Sequence, residues 1–400
     1  MKKKSLSVCA LVLTASLAGS ILFSTPNTWA ADGAAQSSAD TTVNLAPENS
    51  SSPDSTTNTS SEDTKTPADS STLNLSLEDA LKMVETGNSE LQLLDSKISI
   101  YDKQNQQALA RRAKVAISDE NSKKDHDLNY RRTQWTLDNA KHDRDTKLKD
   151  LKAEITNQYE SILALQQRAA NLNKQHGDLE TMIKQTNLQI ELGLQIPSSI
   201  YPYNAQKAQI EAGQKLVANS IKSAMNIIKK DLGVDLDREV VLTSKLGEYT
   251  KYDDSDVDNK IAQAVNKNYD IQRYTQDIEI TQIEYNIDFY YDDSNADTVE
   301  ASIEDKKAAL KDLPVTKEVE LRTVYNSLKT LEHKIVADQL TLEADQINID
   351  TMQKKIDAGQ SSSLEIIPLQ STLYTDQYTL DQDIVTYNKV VAEFKNSLEK

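Results

Sequence analysis

Leu321, Leu328, Ile335, Leu342, Ile349 and Ile356 fall seven residues apart without a break. A strict period of seven keeps one apolar stripe in register only if the helix supercoils left-handedly on a neighbour, so the spacing predicts a long coiled-coil helix. The same stripe occurs earlier at Leu148, Ile155, Ile162, Ala169, Ile183 and Ile190, broken once by His176. There Leu151, Leu165, Leu172 and Leu179 occupy a companion track. The companion track of the later helix instead carries Asp338 and Asp345 where apolar residues would be wanted. So narrow a stripe suits helices laid side by side in a curved wall better than helices gathered around a solid core.

The two helices belong to two copies of one unit. IELGLQIPSSIYPYNAQ begins at Ile190 and IDAGQSSSLEIIPLQST at Ile356, placing Gly193 opposite Gly359, Ile200 opposite Ile366 and Pro202 opposite Pro368 at a constant offset of 166. EITNQYESI from Glu154 matches ELRTVYNSL from Glu320 at the same offset, pairing Tyr159 with Tyr325. Upstream, Asn88 pairs with Asn268 and Leu91 with Ile271, now at an offset of 180. The difference of 14 divides evenly about turns near Ser118–Asn121 and Tyr291–Ser294, giving copy one seven extra residues on each arm of a hairpin. Seven is one heptad, an insertion that keeps the seam in register.

Each copy therefore reads as short, long and short helices. Copy one places them at about 89–116, 126–190 and 199–232, and copy two at about 257–290, 297–358 and 364–398. At ~1.5 Å per residue the long helix of copy one spans roughly 95 Å. The two short ones together cover nearly that distance, which suits end-to-end stacking. Pro314 is expected to kink or briefly break the second long helix.

Ahead of the repeats, Lys2, Lys3 and Lys4 precede an apolar run from Leu6 to Phe23 and a polar stretch closing on Thr28-Trp29-Ala30. That is the pattern of a secretory signal over 1–30 cut after Ala30, the alternative being a retained membrane anchor. Cys9, the single cysteine, lies inside it, so a mature chain carries no thiol for disulfide, zinc or nucleophilic chemistry. Residues 31–73 are Ser, Thr, Asp, Asn and Pro with little that is apolar, a composition expected of a disordered tether. The formal charge is −17, a poor match for nucleic acid or anionic lipid. No later apolar run is long enough to cross a bilayer as a helix.

Chemical sites are scarce. His126, His142, His176 and His333 match no metal-ligand spacing, and His176 on the apolar track reads as a core or register-setting residue. Asp253-Asp254 and Asp292-Asp293 lack the spacing and glycine of a calcium loop and suit helix capping. Neither a nucleophile elbow nor a phosphate loop is present, and an enzyme, a metal site or a cofactor is not expected. Trp135, Tyr130, Arg131 and Arg132 near the hairpin end either touch an envelope surface or pack between helices.

These residues resemble the TolC family of outer-membrane efflux factors over about residues 74–400, with repeat one at 74–245 and repeat two at 246–400. SLEDALKMVETGNSELQ looks like the family's opening, and GQSSSLEIIPLQSTLYTDQ like its second tip turn. The resemblance implies an all-α class of elongated antiparallel coiled-coil helices. It also implies a homotrimeric tunnel that docks to a periplasmic adaptor (membrane fusion) protein of an inner-membrane transporter. Gly193, Leu194, Gly359 and Gln360 would form the docking tips, and Glu365 takes the place of an acid that rings the entrance. Pro368 stands where a second acid is expected, Ile356 and Ser361 replace a latching Tyr and Arg, and Ser199 replaces the matching acid of copy one. Those departures argue against a closed, cation-binding gate.

The family also inserts two β-strands per repeat between short and long helix. Here copy one offers only ISDENSKKDH, and copy two one alternating patch at Tyr285, Ile287, Phe289 and Tyr291 that reads as the amphipathic end of a helix. The barrel is therefore expected to be missing. A non-transport coiled-coil scaffold of the envelope is the competing reading.

Overall fold

A computed structural model describes residues 72–291 and 293–399, all within Lys65–Lys400, the second of two units into which the chain divides. The expected signal segment, and the expected tether except its last two residues, lie outside the described residues. The order is β1 (Leu73–Leu75), α1 (Leu77–Gly87), α2 (Ser89–Lys114), α3 (Glu120–Asp127), α4 (Asn129–Glu191), α5 (Tyr201–Asp231), β2 (Val240–Leu242), α6 (Val257–Lys267), α7 (Tyr269–Tyr291), α8 (Asp293–Asp357) and α9 (Ile366–Leu398). A single 3-10 turn, Pro197–Ile200, leads into α5.

The two asparagines that align the repeats are helix caps. Asn88 Oδ1 accepts from the amides of Glu90 (3.0 Å) and Leu91 (3.2 Å), and Asn268 Oδ1 from those of Asp270 (3.0 Å) and Ile271 (3.4 Å). Each satisfies orphan donors of a new helix and breaks the preceding one. The span expected as one helix at 257–290 is accordingly two, α6 and α7. Pro314 corrects the sequence reading in the other direction, since α8 runs through it without a break. A proline removes one ladder bond, and a helix packed along both α7 and α9 keeps its remaining bonds.

At the hairpin end, Asp119 and Ser122 form a capping box that starts α3. Buried Leu128 separates α3 from α4. Copy two turns directly from α7 to α8. Tyr285, Ile287, Phe289 and Tyr291 all lie in α7, Ile287 buried and Phe289 exposed. No strand occurs at 117–126 or among the described residues of 286–300.

Packing partners define a layer one helix thick. In one half the neighbours run α5, α4, α9, α8, and in the other α2, α4, α7, α8. The apolar core is concentrated where short helices meet beside a long one. Leu91, Ile155, Tyr159, Ile162, Ile228 and Leu232 pack in copy one, and Ile261, Leu328, Ile335, Tyr387 and Phe394 in copy two. In copy one the C-terminal turn of α5 abuts that of α1 closely, a Cβ on Gly87 falling 2.2 Å from the Leu232 carbonyl oxygen. Asn88 Nδ2 donates across the same junction to the Asp231 carbonyl (2.9 Å).

The strands were not legible as strands. β1 and β2 pair in parallel, Leu73 with Val240 through Leu75 with Leu242, and strap the linker after α5 to the start of the repeat. Buried Tyr159 locks the strap: its hydroxyl donates to the Leu75 carbonyl (2.7 Å) and accepts from the amides of Thr243 (3.1 Å) and Ser244 (3.0 Å). In copy two Tyr325 donates to Asp254 (2.9 Å) and Tyr387 accepts from the Tyr252 amide (2.8 Å), again holding the linker. Tyr159→Phe should lose about 1–3 kcal/mol in urea unfolding with the slope unchanged, because the Ser244 amide is left unpaired in a partly buried site.

Candidate functional site

The two helix ends singled out by the repeat have one geometry. Gly193 has φ 71° and Gly359 φ 69°, the left-handed conformation that a side chain disfavours. The Gly193 amide donates to the Ile190 carbonyl (3.0 Å) and the Leu194 amide to that of Gln189 (2.8 Å). Gly359 donates to Ile356 (2.9 Å) and Gln360 to Lys355 (2.8 Å). Both are Schellman caps, which satisfy the last carbonyls and reverse the chain. Gly233, φ 68°, ends α5 the same way.

The turns then restart the chain by different chemistry. After Gly359, Glu365 Oε1 accepts from the Ser362 amide (3.1 Å) and Ser362 Oγ from the Leu364 amide (3.3 Å), two side-chain bonds that close the turn before α9. Glu365, the expected entrance acid, is exposed and engaged locally in this turn. After Gly193 the equivalent stretch is Ile196-Pro197-Ser198-Ser199, where Pro197 opens the 3-10 turn and needs no donor partner.

Both turns lie at the same end of the layer. Leu364 and Ile367 of copy two pack against Leu179, Met182, Ile210 and Tyr203 of copy one, and Gln175 Nε2 donates to the Ser371 carbonyl (3.3 Å). Gly193, Leu194, Gly359 and Gln360 are all exposed. The first turn presents bare apolar surface, with Leu194 72%, Ile196 70% and Leu192 64% exposed beside Leu188 and Tyr201. The sequence carries these apolar residues in the run Leu188–Tyr201, without a period that would mark them as exposed.

The other singled-out residues are structural. His142 stacks on Tyr269 with ring centroids 3.5 Å apart, and burial lowers its affinity for a proton. His176 Nε2 lies 3.4 Å from Glu211. Asp253 accepts from the Ser255 amide (3.1 Å). Hydrogen bonds from Lys329 and Tyr325 hold Asp254 down at about 2. Trp135 donates to the Arg273 carbonyl (3.3 Å), Arg112 lies 3.9 Å over the Tyr130 ring, and Arg132 pairs with Glu284. At this hairpin end the packing reading describes what these side chains do.

The described residues thus form a layer of long antiparallel helices in two repeats, turned by glycine caps at one end. No protein-family model and no curated protein matches the sequence. Solved structures do match. The outer membrane protein VceC from Vibrio cholerae superposes with a TM-score of 0.65 over 80% of this chain and 95% of its own, at 12% identity. The Campylobacter jejuni CmeC outer membrane channel gives 0.65 over 80% and 85%, at 8% identity. The open state of the Neisseria gonorrhoeae MtrE outer membrane channel gives 0.60 over 80% and 88%, at 10% identity. These neighbours are TolC-family outer-membrane channels, and the chain has their helical fold without a strand barrel among its described residues.

Proposed function

We propose that the chain is an exported conduit component: a homotrimer of helical walls that docks by its glycine tips to an adaptor serving an inner-membrane transporter. The supporting observation is a pair of unpartnered apolar edges. On α8, Val336, Leu340 and Ile347 are exposed in one half and Val315 and Val319 in the other. On the opposite edge, Leu216 and Ile227 of α5 and Leu93 and Ile100 of α2 are exposed. Edges this apolar are uncommon on a chain that stays single. Joined edge to edge, copies bury both stripes and close a ring, as a head-to-tail interface requires. An envelope location follows from the same reading, in line with the neighbours' membership of the outer membrane.

Imaging of the purified mature chain tests it: a hollow ring in cross-section supports the conduit, and a single rod at every concentration overturns it. Gly193→Pro or Gly359→Pro should abolish docking of a candidate adaptor's helical hairpin with far-ultraviolet circular dichroism nearly unchanged. Proline cannot adopt the positive φ and removes the capping amide. Alanine at either position meets nothing within 4 Å and should cost only about 1 kcal/mol of backbone strain, leaving docking intact.

A second reading, a coiled-coil spacer of the envelope without transport, is favoured by the lack of strands at 117–126 and among the described residues of 286–300. It predicts a filled or open assembly with no bore.

A further inference from the structure

The seam between α8 and α9 holds a feature that neither wall-building nor docking uses. Asp338 of α8 faces Asp383 of α9, and one heptad along, Asp345 faces Asp376. The same antiparallel register sets Leu331 opposite Val390 on one side and Met352 opposite Leu369 on the other. Leu331 and Val390 belong to the core of copy two. Two consecutive layers of paired carboxylates thus interrupt an otherwise apolar track.

Among the described residues a single cation reaches these four carboxylates. Asp338 Oδ2, Asp345 Oδ2 and Asp383 Oδ2 are buried and accept no hydrogen bond. Lys334 Nζ reaches Asp383 Oδ1 at 2.7 Å, the one ion pair at either layer among the described residues. On the other face of α9, Arg168 and Lys174 of α4 lie over the rings of Tyr378 and Tyr374, with Asp178 beside Tyr374. Asp381 accepts from Gln377 (3.0 Å) within α9 itself. Two facing carboxylates cannot both ionise at such a site without repulsion, whereas a pair sharing one proton forms a hydrogen bond.

We propose that the middle of the α8–α9 seam is a proton-operated clasp. With one proton shared by each aspartate pair, the helices stay zipped through residues 338–345 and 376–383. With both pairs fully ionised the seam parts there, while the flanking apolar layers hold it at either side. The device needs only this fold, so it stands or falls independently of ring closure or docking.

The titration is placed by the same contacts. Burial first, and then the facing Asp383, push Asp338 up to about 6. Burial and then Asp345 push Asp376 up as well. An aspartate in the unfolded chain titrates near ~3.9, so between these values the folded chain holds more protons. The contribution of Asp338 to stability is therefore fully present below the unfolded value and lost as pH rises through about 6.

Amide hydrogen exchange on the mature chain, in the presence of a chelator and corrected for intrinsic rates, reads the clasp directly. Between about pH 5 and about pH 7.5, amides of 338–345 and 376–383 should lose protection by about tenfold or more, with those of α4 and α5 unchanged. The Asp338→Asn, Asp345→Asn double variant, whose amides donate to the facing carboxylates at any pH, should lose that step. No step in the wild type, or the same step in the variant, overturns the proposal. Should the variant fail to fold, infrared spectra of the wild type must show protonated-carboxyl absorption disappearing over this interval; absorption that does not change overturns it equally.

Discussion

Gly87→Ala should weaken the chain more than any other single methyl addition considered for these helices. The new Cβ would sit 2.2 Å from the Leu232 carbonyl oxygen, and a Cβ on Gly233 2.5 Å from the Gly87 carbonyl oxygen. Both obstacles are backbone, so neither can swing aside as a side-chain tip does. Relief requires the ends of α1 and α5 to separate. That loosens the bond from Asn88 to Asp231 and the packing of Val84, Leu91 and Leu232 around it. A loss of about 2–4 kcal/mol is expected in urea unfolding for either alanine. The two should combine to less than their sum, because once one has parted the helices the other meets only its own backbone strain. Copy two supplies the control. Lys267 occupies the position equivalent to Gly87 and is exposed, so Lys267→Ala should stay within about 0.5 kcal/mol of the parent. Equal effects at Gly87 and Lys267 would show that the close junction does not bear on stability.

Glutamate at the layer's edges should have the largest effect on assembly. Leu340 is 62% exposed on α8 and Leu216 60% exposed on α5, so Leu340→Glu with Ile347→Glu, or Leu216→Glu with Ile227→Glu, leaves the single chain folded. Each buried apolar side chain contributes about 1.5–3 kcal/mol to an interface, and a closed ring repeats that interface at every joint. Sedimentation should therefore show single chains for either pair of substitutions. A mixture of the two variants should form pairs and nothing larger, since each retains one intact edge of opposite kind. Self-association of the α5 variant alone would point instead to an α8-to-α8 contact, and would remove the support for a ring.

Much of this architecture is written in the spacing of apolar residues. The unbroken heptads of α8, the offset that equates Gly193 with Gly359, and Asn88 placed the long helices, the two glycine turns and the start of α2. What escaped the sequence was set by contacts distant along the chain. Leu73–Leu75 and Val240–Leu242 are three residues each, too short to carry a period of two. They become strands by pairing with each other, and Tyr159, 84 residues from either contact, bonds Leu75 of one and Thr243 just past the other. Pro314 signalled a break that did not occur: it removes one ladder bond, and α8 stays packed on α7 through that stretch. Asn268 signalled a break that was passed over, although its twin Asn88 had been recognised. At the tips, the glycines followed from the repeat, while the exposed Leu192, Leu194 and Ile196 had no periodic signature and emerged only in three dimensions. Asp338 and Asp345 were noticed as faults in a coiled-coil stripe. Their partners Asp383 and Asp376 are invisible until the antiparallel register is known.

A sheet of helices one member deep encloses nothing by itself, and this has a geometric corollary. Helix axes pack about 10 Å apart, so four abreast contribute roughly 40 Å of arc per subunit. Three subunits would close a cylinder about 38 Å between opposite axes, and every additional one would widen it by about 13 Å. In the proposed ring, bore diameter would be set by the dihedral angle at which α8 of one subunit meets α5 and α2 of the next. A substitution that tilts that hinge would then change what such a ring could pass without touching any residue that lines it.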